Sequence, residues 1–205
     1  MTPLEIEIKF YISDIDEIRK KIRSAGADWK SGGFESNIRF DDQSMRLTRE
    51  RKLLRLRQDS GCRMTVKTPS EDADAGFKIF RELEVTVGDL KTMTAILGEL
   101  GYFPRQIYEK ERETYRFKQT DLCLDTLPFG HFLEIEGEKD DIRIAAEALS
   151  LNWDERMTAN YLSLFDALRK QLHLPFENVT FENFRNMKLD RSRVHQILCE
   201  NRLAS

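Results

Sequence analysis

A repeated strand grammar, with charged and apolar residues in alternation, constrains this chain more than any other feature. Leu4 to Ile12 reads Leu-Glu-Ile-Glu-Ile-Lys-Phe-Tyr-Ile. Strand side chains alternate faces, so residues two apart point the same way. Glu5, Glu7 and Lys9 therefore share one face, and Ile6, Ile8 and Phe10 the other. The pattern recurs with Arg55 and Arg57 against Leu54 and Leu56, and with Lys67 against Val66. It returns with Glu82 and Glu84 against Leu83 and Val85, and with Glu134 and Glu136 against Leu133 and Ile135. Lys110 and Arg112 also share a face, although Glu109, Glu111 and Glu113 beside them are charged as well. Asp125 lies between Leu124 and Thr126.

The charges on that face nearly cancel, but the residue types carry chemistry. Paired carboxylates are hard oxygen ligands of the kind Mg²⁺ or Mn²⁺ accepts. Arginine forks and lysine ammonium groups hold phosphate oxygens. A surface bearing both suits a metal-bridged polyphosphate. Taken singly, each motif is more often the wet side of an open antiparallel sheet, or cross-strand charge pairing of modest worth. Alternation alone does not separate an open sheet from a barrel closed around water.

Between these strands the chain carries helix signals. Ser13 is placed to cap a helix over 14–25 with Ile15, Ile18 and Ile22 as its apolar stripe, stopped by Gly26. Ser31-Gly32-Gly33 reads as a loop, Asn37 to Phe40 as a short strand, and 43–50 is ambiguous. Residues 53–58 and 63–67 form a hairpin across Asp59-Ser60-Gly61, followed by an acidic, turn-rich loop over 69–76 and a strand from Lys78 to Val87. Asp89 caps a second helix, closed by Gly101. Strands follow near 106–117, 120–126 and 131–138, then helices near 139–150 and 158–172. The Glu-x-Glu strand, helix and glycine stop thus occur twice, which suggests two half-sheets about a pseudo-twofold axis. The fold class is α+β, with an antiparallel sheet and helices on its apolar face.

A chain of 205 residues, 40% apolar and 34% charged, is globular and about one domain long. Its net charge of −3 argues against a general nucleic-acid or membrane-surface binder. Cys62, Cys123 and Cys199 show no CxxC spacing and are expected as free thiols. The opening residues carry no apolar leader, and no stretch approaches the ~18 apolar residues of a membrane span, so a cytoplasmic protein is expected. His131, His173 and His195 lack ligand spacing. Trp29 and Trp153 are expected to pack in the core.

In order along the chain, Glu5-x-Glu7-x-Lys9, Leu53-Leu-Arg-Leu-Arg, Met64-Thr-Val-Lys-Thr-Pro, Arg81-Glu-Leu-Glu, Lys110-x-Arg112 and Leu124-Asp-Thr-Leu-Pro-Phe-Gly-His-Phe-Leu-Glu-Ile-Glu resemble the CYTH superfamily, or triphosphate tunnel metalloenzymes. The resemblance covers roughly residues 4–172 and implies a closed eight-stranded antiparallel β-barrel with helices outside. It divides the chain into a tunnel domain over 1–174 and a C-terminal helical tail over 175–205, which could plug an opening, mediate a homodimer or pack outside. By resemblance, Glu5, Glu7, Asp125, Glu134 and Glu136 contribute to binding Mg²⁺ or Mn²⁺. Lys9, Arg55, Arg57, Lys67, Lys110 and Arg112 hold the triphosphate, with Lys9, Lys67 and Arg112 at the reacting centre. Glu82 and Glu84 serve a second metal, a water or the basic side chains. The implied activity leans to class IV adenylyl cyclase, ATP giving cyclic AMP and pyrophosphate. The alternatives are hydrolysis of thiamine triphosphate or tripolyphosphate, and a polyphosphate- or nucleotide-binding module without catalysis.

Overall fold

Alternation closes into a ring in the computed structural model of the chain, which describes residues 4–70, 74 and 76–203. The eight strands are β1 (Leu4–Ile12), β2 (Asp28–Asp41), β3 (Leu53–Gln58), β4 (Cys62–Pro69), β5 (Lys78–Thr86), β6 (Phe103–Phe117), β7 (Thr120–Leu127) and β8 (Gly130–Glu136). They neighbour one another in the order β1-β5-β4-β3-β2-β6-β7-β8, and β8 pairs back with β1. All pairings are antiparallel. The expected barrel is therefore present. Its connectivity carries the expected repeat: strand, helix and three strands occur twice, and the first strand of each half pairs with the last strand of the other.

Helices cover the apolar outer wall. Helix α1 (Ile15–Ser24) and helix α4 (Lys139–Ala148) lie over Ile8, Leu122, Leu133 and Ile135, all with no solvent exposure. Burying each such side chain contributes ~1.5–3 kcal/mol. Helix α3 (Leu90–Glu99) seats Leu97 against Leu54 and Leu56. Helix α1 is capped by Asp14 and not by Ser13: the Asp14 carboxylate accepts from the Asp16 and Glu17 amides at 3.0 and 2.9 Å. Gly26 and Gly101 end α1 and α3 with φ of +81° and +85°.

Two local expectations are corrected. Ser31-Gly32-Gly33 is not a loop but part of the 14-residue β2, where β6 supplies a partner to each of the three and the register shifts between Trp29 and Ser31, leaving Lys30 without one. Cross-strand pairing overrides the weak strand propensity of glycine. Trp29 does not pack; it is 61% exposed. The ambiguous 43–50 stretch winds into a short helix, α2 (Arg46–Arg49), because buried Asp41 accepts from the Leu47 and Thr48 amides, each at 2.9 Å. Part of the acidic loop, residues 71–73 and 75, lies outside the described residues.

One end of the tunnel is built from α2, from Ser70, Asp74 and Phe77, and from helix α5 (Tyr161–Leu172), capped by Asn160. The chain beyond Pro175 forms α6 (Phe181–Phe184) and α7 (Arg191–Glu200). Val194, Ile197 and Leu198 share a core with Leu164 and Phe165 of α5. Val179 bridges to β6 on the edge left free before β7 pairing begins, through Val179 N–H to Ile107 O at 2.8 Å and Glu109 N–H to Val179 O at 2.9 Å. Among the described residues no helix is long and apolar enough to cross a membrane.

Candidate active site

Because all eight strands alternate, closure turns every charged stripe inward. The stripes line a cavity of about 960 Å³ that runs from the middle of the tunnel to the α2–α5 end. Lys9, Lys67, Lys110, Arg55, Glu7, Asp125 and Glu134 are buried. All the side chains expected on the inner face converge around this lumen, but they divide into two regions.

On the β1–β5–β8 side the acids dominate. Oxygens of Glu5, Glu7 and Glu136 lie within 4.8 Å of one another. Burial, with Glu7, Glu82 and Glu136 close by, pushes the Glu5 carboxyl up to about 7 despite the Lys67 ammonium. Burial likewise raises Glu136, partly opposed by Arg112. Burial would also raise Glu7, but Lys78, bonded to it, and Lys9 at 3.6 Å hold it down at about 2. Three crowded carboxylates, two of which resist ionising, fit a divalent cation: its charge relieves the repulsion and its preference is for oxygen donors. The residues present therefore suit the metal that the fold implies.

Asp125 and Glu134, also expected at the metal, are engaged by bases. Arg112 grips Asp125 in a two-pronged pair at 2.7 and 2.6 Å and also bonds Glu134. Lys110 reaches Asp125 at 2.9 Å, and Lys9 lies 3.4 Å from Glu134. Burial raises Glu134, but Lys9, Arg112 and Lys110 outweigh it and hold the group well below the usual carboxylate range. Glu82 bonds Lys67 at 2.8 Å, and Glu84 accepts from the Thr65 hydroxyl at 2.9 Å. These two therefore contact a basic and a polar neighbour.

On the β2–β3–β6 side the bases dominate, with Arg55 donating to the Tyr108 and Thr65 hydroxyls at 3.3 and 3.1 Å. Arg57 and Lys110 each stand 3.7 Å from Glu35, and Arg55 stands 3.9 Å from Glu84. Among the described residues the buried Nε groups of Arg39, Arg55 and Arg57 have no hydrogen-bond partner. Glu35 sits among Lys110, Arg112, Arg57 and Arg55; burial would raise it, but these cations hold it at about 2. Unpaired guanidinium donors in a sheltered wall are where an incoming anion finds most to gain.

Several inner residues escaped the sequence reading. Lys78, Tyr108 and Arg39 follow from parity alone, being two or four residues from Glu82, Lys110 and Asn37 in continuous strands. Glu35 was hidden by the glycine pair taken for a loop. Tyr161, at the start of α5, caps the site. Its hydroxyl donates to Asp125 at 2.9 Å, and its ring carries the Lys9 and Lys110 ammonium groups at 5.1 and 5.5 Å. The Ala159 carbonyl holds the Lys9 ammonium at 3.0 Å. His131 points away, against Thr126.

A closed β-tunnel with acids gathered on one side and bases on the other defines a charge-lined tunnel protein. The profile of the CYTH domain matches residues 3–169, and the chain belongs to the CYTH family. No curated protein matches it by sequence. Among solved structures it is similar to a candidate adenylate cyclase from Vibrio parahaemolyticus, at 20% identity over 82% of this chain and 100% of that one, with a TM-score of 0.72. It is also similar to a protein of Pyrococcus horikoshii OT3, at 26% identity, 81% and 99% coverage and a TM-score of 0.66. A Hippeastrum protein studied as an adenylyl cyclase, and described as having a dominant triphosphatase activity, matches at 18% identity, 91% and 97% coverage and a TM-score of 0.52.

Proposed function

We propose that the protein is a metal-dependent enzyme acting on a triphosphate held in the tunnel, and that its reaction is adenylyl cyclisation of ATP to cyclic AMP and pyrophosphate. The observation that carries this reading is the facing of two unlike regions across one cavity: the Glu5, Glu7 and Glu136 oxygens on one side, and on the other the Arg55 and Arg57 Nε groups, which make no hydrogen bond among the described residues.

Glu5, Glu7 and Glu136 would hold Mg²⁺ or Mn²⁺, which supplies charge neutralisation on the transferred and leaving phosphates. The protein's own groups do the rest. Arg55, Arg57 and Lys110 take phosphate oxygens in a wall that excludes water, where each attraction exceeds its value in bulk solvent. Arg55 keeps its charge there: burial acts to lower it, but Tyr108 and nearby acids raise it further. Lys9, fixed by the Ala159 carbonyl, and Arg112, fixed by Asp125, present donors at the seam between the two regions. Lys67, pinned between Glu5 and Glu82, stays charged, since those acids outweigh its burial. In cyclisation the ribose 3′-hydroxyl attacks the α-phosphorus and pyrophosphate leaves.

Hydrolysis is the second reading. It needs only that water attack a terminal phosphorus in the same wall, and the triphosphatase description of the Hippeastrum relative supports it. Incubation with ATP, thiamine triphosphate or tripolyphosphate, with Mg²⁺ or Mn²⁺, separates the two by product. Cyclic AMP with pyrophosphate establishes the first and orthophosphate the second; no turnover of any triphosphate overturns both.

A further inference from the structure

Lys9 is steadied by a short strap, residues 157–160, that runs from the barrel wall to the start of α5. Met157 pairs with the Lys9 backbone: its N–H donates to Lys9 O at 2.7 Å and its carbonyl accepts from Lys9 N–H at 3.1 Å. The Ala159 carbonyl accepts from the Lys9 ammonium at 3.0 Å, and Tyr161, two residues on, sets its ring beneath the same group. The two ion-pair partners of that ammonium stand farther off, Glu134 at 3.4 Å and Glu7 at 3.6 Å. A neutral carbonyl aims the ammonium without cancelling its charge, whereas a closer carboxylate would claim a donor that a phosphate needs.

The strap itself needs an anchor. Ala159 is fully buried, and a segment outside any ladder must find other acceptors for its N–H groups. One oxygen serves two of them: the Arg202 carbonyl accepts from Thr158 N–H at 2.9 Å and from Ala159 N–H at 3.1 Å. That carbonyl stands just past the end of α7, whose Val194, Ile197 and Leu198 are buried in one core with Leu164 and Phe165 of α5. Asn201 N–H bonds back to Ile197 O and Leu198 O, each at 3.2 Å, and the Arg202 guanidinium donates to Cys199 O at 2.8 Å. The acceptor is thus carried on a packed helix. It also lies outside the residues that the CYTH profile matches, which end at 169.

We infer, on the triphosphate-binding reading above, that the C-terminal tail is a working part of the tunnel, and that the Arg202 main-chain carbonyl is a positioning group that sets the strap and, through Ala159, aims the Lys9 ammonium at the phosphate chain. Without that carbonyl the strap relaxes and Lys9 closes on Glu134 or Glu7. Arg55 and Arg57 on the other side do not depend on the strap. Ground-state affinity is therefore spared, and turnover is not.

A chain ending at Asn201 keeps α7 and loses the Arg202 carbonyl, whereas Arg202→Ala keeps that carbonyl. With ATP or tripolyphosphate and Mg²⁺, the shortened chain is expected to lose about ten- to a hundredfold in kcat, the scale of a misplaced group at a reacting centre, with KM changed by less than about threefold. Arg202→Ala is expected to recover most of that loss. In a Lys9→Met background the same truncation should cost less than about threefold, since the group it positions is gone. A wild-type kcat in the shortened chain, a rise in KM alone, or an equal loss with and without Lys9 would each overturn the role. Hydrogen exchange gives a readout that needs no turnover: the Thr158 and Ala159 amides are expected to exchange slowly in the full chain and in Arg202→Ala, and fast in the shortened chain. Fast exchange in the full chain would overturn the role even if the shortened chain failed to fold. A full chain that turns over no triphosphate removes the enzyme reading and the positioning role with it, whereas protected amides beside a wild-type kcat in the shortened chain remove the positioning role alone.

Discussion

Glu5 and Glu35 are the same residue type on opposite sides of one lumen, and the protein drives them in opposite directions. Burial and neighbouring carboxylates push Glu5 to about 7. Lys110, Arg112, Arg57 and Arg55 overcome burial and hold Glu35 at about 2. Both groups lie in the same enclosed space, so burial alone does not explain the contrast; the neighbours decide its sign. The acid-rich side is short of positive charge and the base-rich side short of negative charge. A metal-bound triphosphate supplies one to each. The tunnel is thus polarised across its width, and the function proposed above would set metal against β1 and β8 and phosphate against β2, β3 and β6.

The most severe way to break this assignment is to remove a carboxylate from the acidic cluster. Glu136→Ala is expected to lower turnover by about a hundredfold or more and to raise the metal concentration needed for half-maximal rate. Triphosphate affinity measured without turnover should fall far less. Arg57→Ala probes the other side: a loss of roughly ten- to a hundredfold in triphosphate affinity is expected from one charge-assisted contact. Its metal titration should stay near wild type. Parallel metal and substrate titrations of the two variants test the polarity directly, and wild-type kinetics in both would refute it.

A smaller effect follows from the Glu5 shift. Its folded value lies above the unfolded one, so between about 4.5 and about 7 the folded protein keeps a proton that the unfolded chain has lost. Stability from this group is complete below the unfolded value and disappears as pH rises through about 7. A metal must displace that proton, so metal affinity should climb with pH over this window and level off above it. Glu35, held at about 2, contributes stability above its unfolded value that is lost only in acid. Metal titrations from pH 5.5 to 8 should therefore show a slope that Glu5→Gln reduces, because Glu136 is also raised by burial, and that Glu35→Gln keeps; a flat wild-type profile would contradict the acidic assignment.

How much of this was legible in the sequence depends on what parity can reach. Glu5, Glu7, Lys9, Arg55, Arg57 and Lys67 announce a shared face by spacing, and the ordered motifs implied the closure that spacing left open. Lys78 obeyed the same rule, two residues before Phe80 and four before Glu82, and was within reach. Glu35 was not, because Gly32 and Gly33 suppress strand propensity and only pairing with β6 reveals the strand. The split between Asp125 and the Glu5 cluster was equally hidden. Strand parity says which way a side chain points, not which inward neighbour it meets across the lumen; Arg112 reaches Asp125 and Glu134 only because β6, β7 and β8 adjoin.

Tyr161 offers the subtlest test, since it sits on the seam between the two sides. Its ring carries Lys9 from one side and Lys110 from the other, and its hydroxyl completes the coordination of Asp125. Tyr161→Phe removes that hydroxyl but leaves the ring against Phe132 and beneath both ammonium groups, and Asp125 keeps Lys110 and Arg112. The cost should be about 1 kcal/mol, or a Tm lowered by about 2–4 °C in a chain of this size. Tyr161→Ala also deletes the ring, and a buried aromatic truncation costs about 3–5 kcal/mol. If the ring is what keeps the two lysines in place, the alanine variant loses triphosphate affinity and the phenylalanine variant nearly retains it. Equal losses would move the role from the ring to the Asp125 bond, and the seam would then be held by hydrogen bonding alone.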